Sequence, residues 1–167
     1  MTPLFLSIRL IFINRNFIQF DSQSPAYNIF INIKGDKNMN NNVFEVFNNG
    51  FLKLPASTVA FADIPWSKHA TFEGVELKHI ITSKDTNGQF SYHLVRIAPN
   101  KSIQNHIHET QLETHEVIAG FGVCINDGAE IPYETGIISI MPAGIPHEVN
   151  AGANGLYLFA KFIPALC

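Results

Sequence analysis

Cysteine, charge and long apolar runs are all scarce in this chain of 167 residues. Cys124 and Cys167 are the only cysteines, too few for a disulfide framework, and a reducing cytoplasm is the compartment this implies. Cys124 lies in a strand-like run, where a small buried hydrophobe is its expected role. Charged residues make up 15% of the chain, the formal net charge is −3, and no run of lysine or arginine occurs. Direct binding to nucleic acid lacks its usual electrostatic footprint. No apolar stretch is long enough to span a bilayer, since Leu4 to Ile13 is short and interrupted by Arg9. No small-residue cleavage site follows it, so a secretory leader or membrane anchor here would be poorly formed. Helical periodicity is not sustained anywhere, which argues against an α-helical domain.

The first 38 residues differ in kind from the rest. They hold seven Ile, five Phe and five Asn, and no Glu, His or Val. Such a bias is what AT-rich noncoding DNA yields when read in frame. Lys34-Gly35-Asp36 can be encoded as AAA-GGA-GAT, a purine-rich ribosome-binding sequence just ahead of Met39. Residues 1–38 are therefore expected to be a non-native or disordered extension, with the natural start at Met39, and a genuine N-terminal extension is the alternative. Residues 39–167 are expected to form one domain, and 46% hydrophobic residues suffice for a substantial core.

Beyond Met39, short apolar or alternating runs are separated by Gly, Pro, Asn and Asp, the pattern of an all-β domain. Strands are expected at Val75 to Thr82, Gln89 to Ile97, Gln104 to Ile107, Glu113 to Cys124, Thr135 to Met141, His147 to Asn150 and Gly155 to Phe162. Asp85-Thr86-Asn87-Gly88 and Asn126-Asp127-Gly128 are turn sequences. Pro132 weakens the strand character of its neighbourhood. Asn40 to Pro65 is harder to assign, and a leading strand pairing with a second subunit is the expectation for it.

Four residues carry the strongest chemical signal: His106, His108, Glu113 and His147. Alternation along a strand points His106 and His108 to one face and Ile107 to the other. The short polar stretch Glu109 to Gln111 allows a turn that brings Glu113 back beside them. His147 follows Pro142-Ala143-Gly144-Ile145-Pro146, where Pro restricts φ and Gly permits positive φ, a rigid way to aim a distant ligand. Three imidazoles and a carboxylate form a nitrogen and oxygen donor set suited to one divalent transition metal.

The segments around these residues resemble the paired motifs of the cupin superfamily. The first motif, which ordinarily opens with Gly, reads Asn100, His106, His108, Glu113, Gly120; the second reads Gly136, Pro142, Gly144, His147, with Ala151 where Asn is usual and Asn150 one place early. Asn100 is a mild departure, because Asn tolerates a left-handed backbone. The motif core spans 100–151, and the fifteen residues from Phe121 to Thr135 match the short spacer of small bacterial members. The resemblance implies a double-stranded β-helix, a small jelly-roll barrel, and a homodimer. It also implies a metal-dependent enzyme of the oxygenase type, holding Fe(II), Mn, Ni or Zn and acting on a small molecule. Alternatives are a metal-dependent isomerase or decarboxylase, or a non-catalytic sensor or binding protein. Some sites of this family use three His alone, which would leave Glu113 as a catalytic base.

Other polar residues have plainer expectations. His115 lies two residues past Glu113 on the same strand face and is expected as a polar residue near the barrel mouth, with a side chain looking into the barrel as the alternative. His93 is expected as a hydrogen-bonded core histidine, sharing a face with Val95 and Ile97. Arg96 could hold a substrate carboxylate by its planar fork, but exposure on a strand is the commoner case. His69 and His79 have no supporting pattern. Gln104 and Met141 are expected to pack rather than touch substrate. Tyr157, Phe159 and Lys161 alternate with Leu156, Leu158, Ala160 and Phe162, so both faces of the last strand should be buried, one of them against a second sheet or a partner subunit.

Overall fold

The computed structural model describes residues 10–13, 16–19 and 39–167. The chain divides into two compact units, Met1–Lys37 and Asn38–Cys167. In the first, β1 (Leu10–Ile13) and β2 (Asn16–Gln19) pair antiparallel. Most of the expectation about residues 1–38 lies outside the described residues.

The second unit opens with α1 (Met39–Asn48) and a small hairpin of β3 (Phe51–Lys53) and β4 (Thr58–Ala60). An eight-stranded sheet follows: β5 (Ser67–Lys68), β6 (Val75–Ile81), β7 (Ser91–Ile97), β8 (Ser102–His106), β9 (Leu112–Asn126), β10 (Ala129–Glu134), β11 (Ile138–Met141) and β12 (His147–Ile163). All its pairings are antiparallel. The all-β jelly roll expected from the motifs is present.

Two long strands bend to make the jelly roll. Glu113 to Glu116 of β9 pair with β11, whereas Phe121 to Asn126 pair with β10. Strand β12 similarly meets β8 through His147 to Asn150 and β7 through Leu156 to Phe162. Two separately expected strands, His147 to Asn150 and Gly155 to Phe162, are therefore one, with register breaks between Ala151 and Leu156. Alternation along β12 sends Leu156, Leu158, Ala160 and Phe162 inward to pack with Val75, Val95, Ile97 and Val117.

Turn chemistry sets the registers. Asp127 and Gly128 both have positive φ, 50° and 77°, as a two-residue hairpin with the right twist requires. Pro132 is accommodated because β10 is the outermost strand on its side of the sheet. Between β6 and β7 the expected simple hairpin is instead a one-turn helix, α2 (Ser83–Thr86), whose start is fixed by the Asp85 carboxylate accepting the Thr82 N–H at 2.8 Å. Asn100 adopts φ 57°, the left-handed conformation for which Asn substitutes acceptably for Gly.

Asn40 to Asn48 corrects the expectation of a leading strand, and of no helix. Val43, Phe44 and Phe47 fall on one side of α1, and Phe44 is buried against Tyr157, with ring centres 4.0 Å apart. Phe47 meets Phe159 edge-on at 4.9 Å. The outer face of β12, expected against a second sheet or subunit, is thus covered by this helix and by Trp66. An Asn-rich ten-residue segment has little intrinsic helicity, so packing supplies its stability. Phe44→Ala is expected to destabilise this unit by about 3 kcal/mol, read by urea denaturation. A change near zero would show that α1 does not hold the sheet.

Candidate metal centre

His106 ends β8, and the chain leaves the strand before His108, yet the two side chains still converge while Ile107 between them is 46% exposed. His147 begins β12 directly opposite His106. The turn before it is closed by the Ile145 N–H donating to Pro142 C=O, with Gly144 at φ 76°. Its Gly144 N–H donates to His108 C=O at 2.9 Å, so the second motif's turn also anchors the first motif's histidine. Glu113 enters from the start of β9, beside Met141 of β11 and Phe162 of β12.

All four residues come together, each offering one donor atom, and these atoms lie within 4.8 Å of one another. The three imidazole rings are 4.2 to 5.6 Å apart between centres. His106 donates Nδ1–H to Gln104 C=O at 2.8 Å, and His147 donates Nδ1–H to Ile145 C=O at 3.2 Å. These bonds turn Nε2 of both rings toward the centre, the usual way ligand histidines are oriented, and Nε2 of His147 there meets Glu113.

The carboxylate of Glu113 is 5% exposed and is shared between two sides. Oε2 lies 2.9 Å from His147 Nε2 and 3.2 Å from His108 Nε2, while Oε1 accepts from His115 Nε2–H at 2.8 Å. Burial alone would raise the Glu113 pKa, but His115 and the hydrogen bonds from His108, His115 and His147 outweigh it and hold the carboxyl well below its ordinary range. For His147, burial works against the charged form, and the Glu113 contact more than offsets it, so its pKa is raised. With His147 Nδ1–H already engaged, a neutral ring would set a nitrogen lone pair against the carboxylate. Either a proton or a metal cation must lie between them, so the donor set fits a divalent transition metal.

His115 looks into the barrel, where it lines the cavity beside Glu113, and is not the polar residue of the barrel mouth. It is 1% exposed, beneath Glu113, with Nδ1 2.9 Å from the Tyr133 hydroxyl. The Tyr133 hydroxyl in turn bonds Ser139 Oγ, and all three side chains are buried. A histidine two places beyond the motif glutamate was the only sequence signal for this network. Tyr133 and Ser139 join it through the pairing of β10 and β11 with β9.

Three of the four donor residues, His106, His108 and Glu113, line a cavity of about 470 Å³. Its walls are largely apolar, with Phe72, Val75, Leu77, Ile103, Leu158 and Phe162 among them. His69, without any sequence signal, also lines it. Its Nδ1 accepts N–H bonds from Thr71 and Phe72, both 3.1 Å, which leaves Nε2 as the protonated, donating nitrogen. Arg96 does not line the cavity; it is bonded to Glu76 at 2.7 Å and lies over the Trp66 ring at 4.2 Å. Gln104 is exposed and Met141 is buried beside Tyr133 and Ser139; neither lines the cavity. Cys124 is fully buried, as expected. His93 is a buried histidine hydrogen-bonded to Ser91; burial first, then His79, pushes its pKa down to about 4.

Departures from the motif leave the four donor residues together. Ala151 packs in the core, while Asn150 accepts from Ser102 Oγ at 2.6 Å and ties β12 to β8 from the other face. Asn100 donates its N–H to Gly152 C=O at 3.1 Å.

Comparison with known proteins gives a consistent result. Residues 93–159 match the model of the cupin domain. An oxalate-binding protein of Thermotoga maritima is 24% identical over 91 residues, covering 53% of this chain and 75% of that protein. Among solved structures, a predicted oxalate decarboxylase from Thermotoga maritima aligns with a TM-score of 0.57 at 21% identity, over 62% of this chain and 95% of that one. An RmlC-like cupin from Shewanella frigidimarina aligns with a TM-score of 0.55 at 15% identity, over 63% and 87% of the two chains. The polyketide cyclase RemF of Streptomyces resistomycificus aligns at 0.56 with 20% identity, over 68% and 79%. Among the described residues no helix is long and apolar enough to cross a membrane. With both motifs inside a jelly roll and the domain model spanning strands β7 to β12, residues 93–159 form a cupin domain.

Proposed function

We propose that this protein is a metal-dependent enzyme of the oxygenase type acting on a small molecule, with His106, His108, His147 and Glu113 holding one divalent transition metal. The observation that carries the proposal is the convergence of four donor atoms within 4.8 Å, with His106, His108 and Glu113 lining a largely apolar cavity. Such a metal supplies Lewis acidity when bound, and Fe(II) adds one-electron chemistry with O₂. The protein's own groups do the rest. Apolar walls exclude bulk water and strengthen electrostatic interactions inside. His69 Nε2–H is a donor available to orient a substrate oxygen. Glu113 either completes the donor set or accepts a substrate proton, in which role its hydrogen bond from His115 keeps the second oxygen occupied.

An apolar cavity of this size suits an aromatic or diketone chelator better than a small dianion. Oxygen uptake by the anaerobically Fe(II)-loaded protein with a panel of diketones, catechols and thiols tests the proposal. Consumption with at least one class is expected; tight binding without turnover across the panel would overturn it in favour of a sensor or binding protein. A second proposal, binding or decarboxylation of oxalate, rests on the names of the two Thermotoga maritima proteins. Oxalate belongs in the same panel with carbon dioxide release as the readout.

His115→Phe is expected to lower metal affinity by about 10–100-fold, because Glu113 Oε1 loses its buried donor. Competition with a chelating dye measures it; unchanged affinity would show that Glu113 is held without His115. We further propose a homodimer, for which the exposed Ile138 and Ile140 of β11 offer an apolar surface. A sedimentation mass of two chains is expected, and that of one chain would contradict it.

A further inference from the structure

A second group of metal-type side chains stands apart from the motif residues: His79, His93 and Cys167 present donor atoms within 4.8 Å of one another. His79 and His93 are directly opposed across β6 and β7, so their side chains share a face. Their Nδ1 atoms are 3.0 Å apart, and Cys167 Sγ is 3.6 Å from His79 Nδ1. Two neutral imidazoles this close share a single proton between facing nitrogens, a place that a metal ion can take.

The surroundings hold the three groups in position. Ser91 Oγ lies 2.9 Å from His93 Nε2, and when it accepts that N–H the Nδ1 lone pair of His93 is free. The same oxygen accepts the Leu166 N–H at 2.9 Å. Ala165 N–H donates to Gly88 C=O at 3.0 Å, and Ser83 N–H donates to Cys167 C=O. Residues 165–167 are thereby fastened beside β6 and β7, which brings an exposed thiol to two imidazoles. One thiolate and two imidazoles, with a fourth position open to water, match the donors and coordination number that Zn(II) takes.

We propose that His79, His93 and Cys167 form a second metal site, selective for Zn(II), in which the ion clamps the C-terminal residues to β6 and β7. Binding releases the Cys167 thiol proton to solvent, while the proton between the imidazoles moves to Nε2 of His79, so that both rings coordinate as neutral imidazoles. The site shares a wall with the barrel cavity: His79 and Leu166 both line it, and the Phe162 ring lies 5.6 Å from His93 on one side and 5.1 Å from His108 on the other. A clamp here would fix one wall of that cavity without using any of the four motif ligands.

Co(II) titration of the full chain reads the thiolate directly, because sulfur-to-Co(II) charge transfer absorbs in the near ultraviolet and nitrogen or oxygen ligands do not produce it. The wild type should show this band, lose it on addition of Zn(II), and bind about two metal ions per chain. Cys167→Ser and His79→Ala should each abolish the band and bind about one. Cys124→Ala, and His106→Ala with His108→Ala, should keep it, which separates this site from the barrel centre. Absence of the band from the wild type, its persistence in Cys167→Ser, or its loss in Cys124→Ala would overturn the assignment. Cys167 is exposed, so its replacement by Ser leaves the core untouched.

Discussion

Replacing His106 and His108 together by alanine is expected to reduce the metal bound in the barrel from about one ion per chain to none, as read by elemental analysis after dialysis. The substitutions are best made in Cys167→Ser protein, so that only the barrel centre is counted. Two of four donors are lost, and the remaining pair, His147 Nε2 and Glu113 Oε2, already lie 2.9 Å apart. Those two groups can satisfy each other through a proton, so the variant has a favourable state that excludes the metal. Turnover should disappear with it. Equal metal content in variant and parent would overturn the assignment. Glu113→Gln separates the two roles open to the carboxylate: coordination predicts a large loss of metal affinity, whereas a base outside the donor set predicts retained metal and lost turnover.

Gly120→Ala is expected to destabilise the domain by about 3–5 kcal/mol, although it adds one methyl group far from any reacting atom. Gly120 has φ 81°, a conformation that costs an L-residue with a Cβ. An added Cβ would also stand 2.3 Å from the Gly155 carbonyl oxygen and 3.0 Å from Leu156 Cα. Both partners are backbone, at the point where β9 and β12 bend together, and neither can rotate away. Relief would require moving β12 just ahead of Leu156 and Leu158, both fully buried. Gly128→Ala is the control: its φ is 77°, but nothing lies within 4 Å of the added Cβ, so about 1 kcal/mol is expected. Urea denaturation of both variants measures the difference. Equal losses would show that backbone conformation, and not the contact with β12, explains the motif glycine.

The four candidate donors were legible because their cause is local. One-residue spacing sets His106 and His108 to one side, and the turn at Pro142 to Ile145 aims His147. Most strands were legible for the same reason, since period-two alternation and turn residues are written within each segment. The helix at the head of the domain was not, because Val43, Phe44 and Phe47 form a stripe too short to recognise among asparagines. It exists because Tyr157 and Phe159 offer it an apolar surface. Tyr133 and Ser139 were equally hidden, since they reach His115 only after β10 and β11 pair with opposite halves of β9. His69 enters the cavity through a bend stabilised by its own ring nitrogen, which no periodicity reveals. The grouping of His79, His93 and Cys167 joins three segments whose proximity depends on register and on how the last residues are tied down.

The most direct measurement is anomalous X-ray diffraction from crystals of metal-loaded protein, collected on either side of the metal's absorption edge. A peak is expected in the barrel at about 2.0–2.2 Å from Nε2 of His106, His108 and His147, with a Glu113 carboxylate oxygen at a similar distance. No peak there, with His147 still bonded directly to Glu113, would contradict a metal centre at these residues.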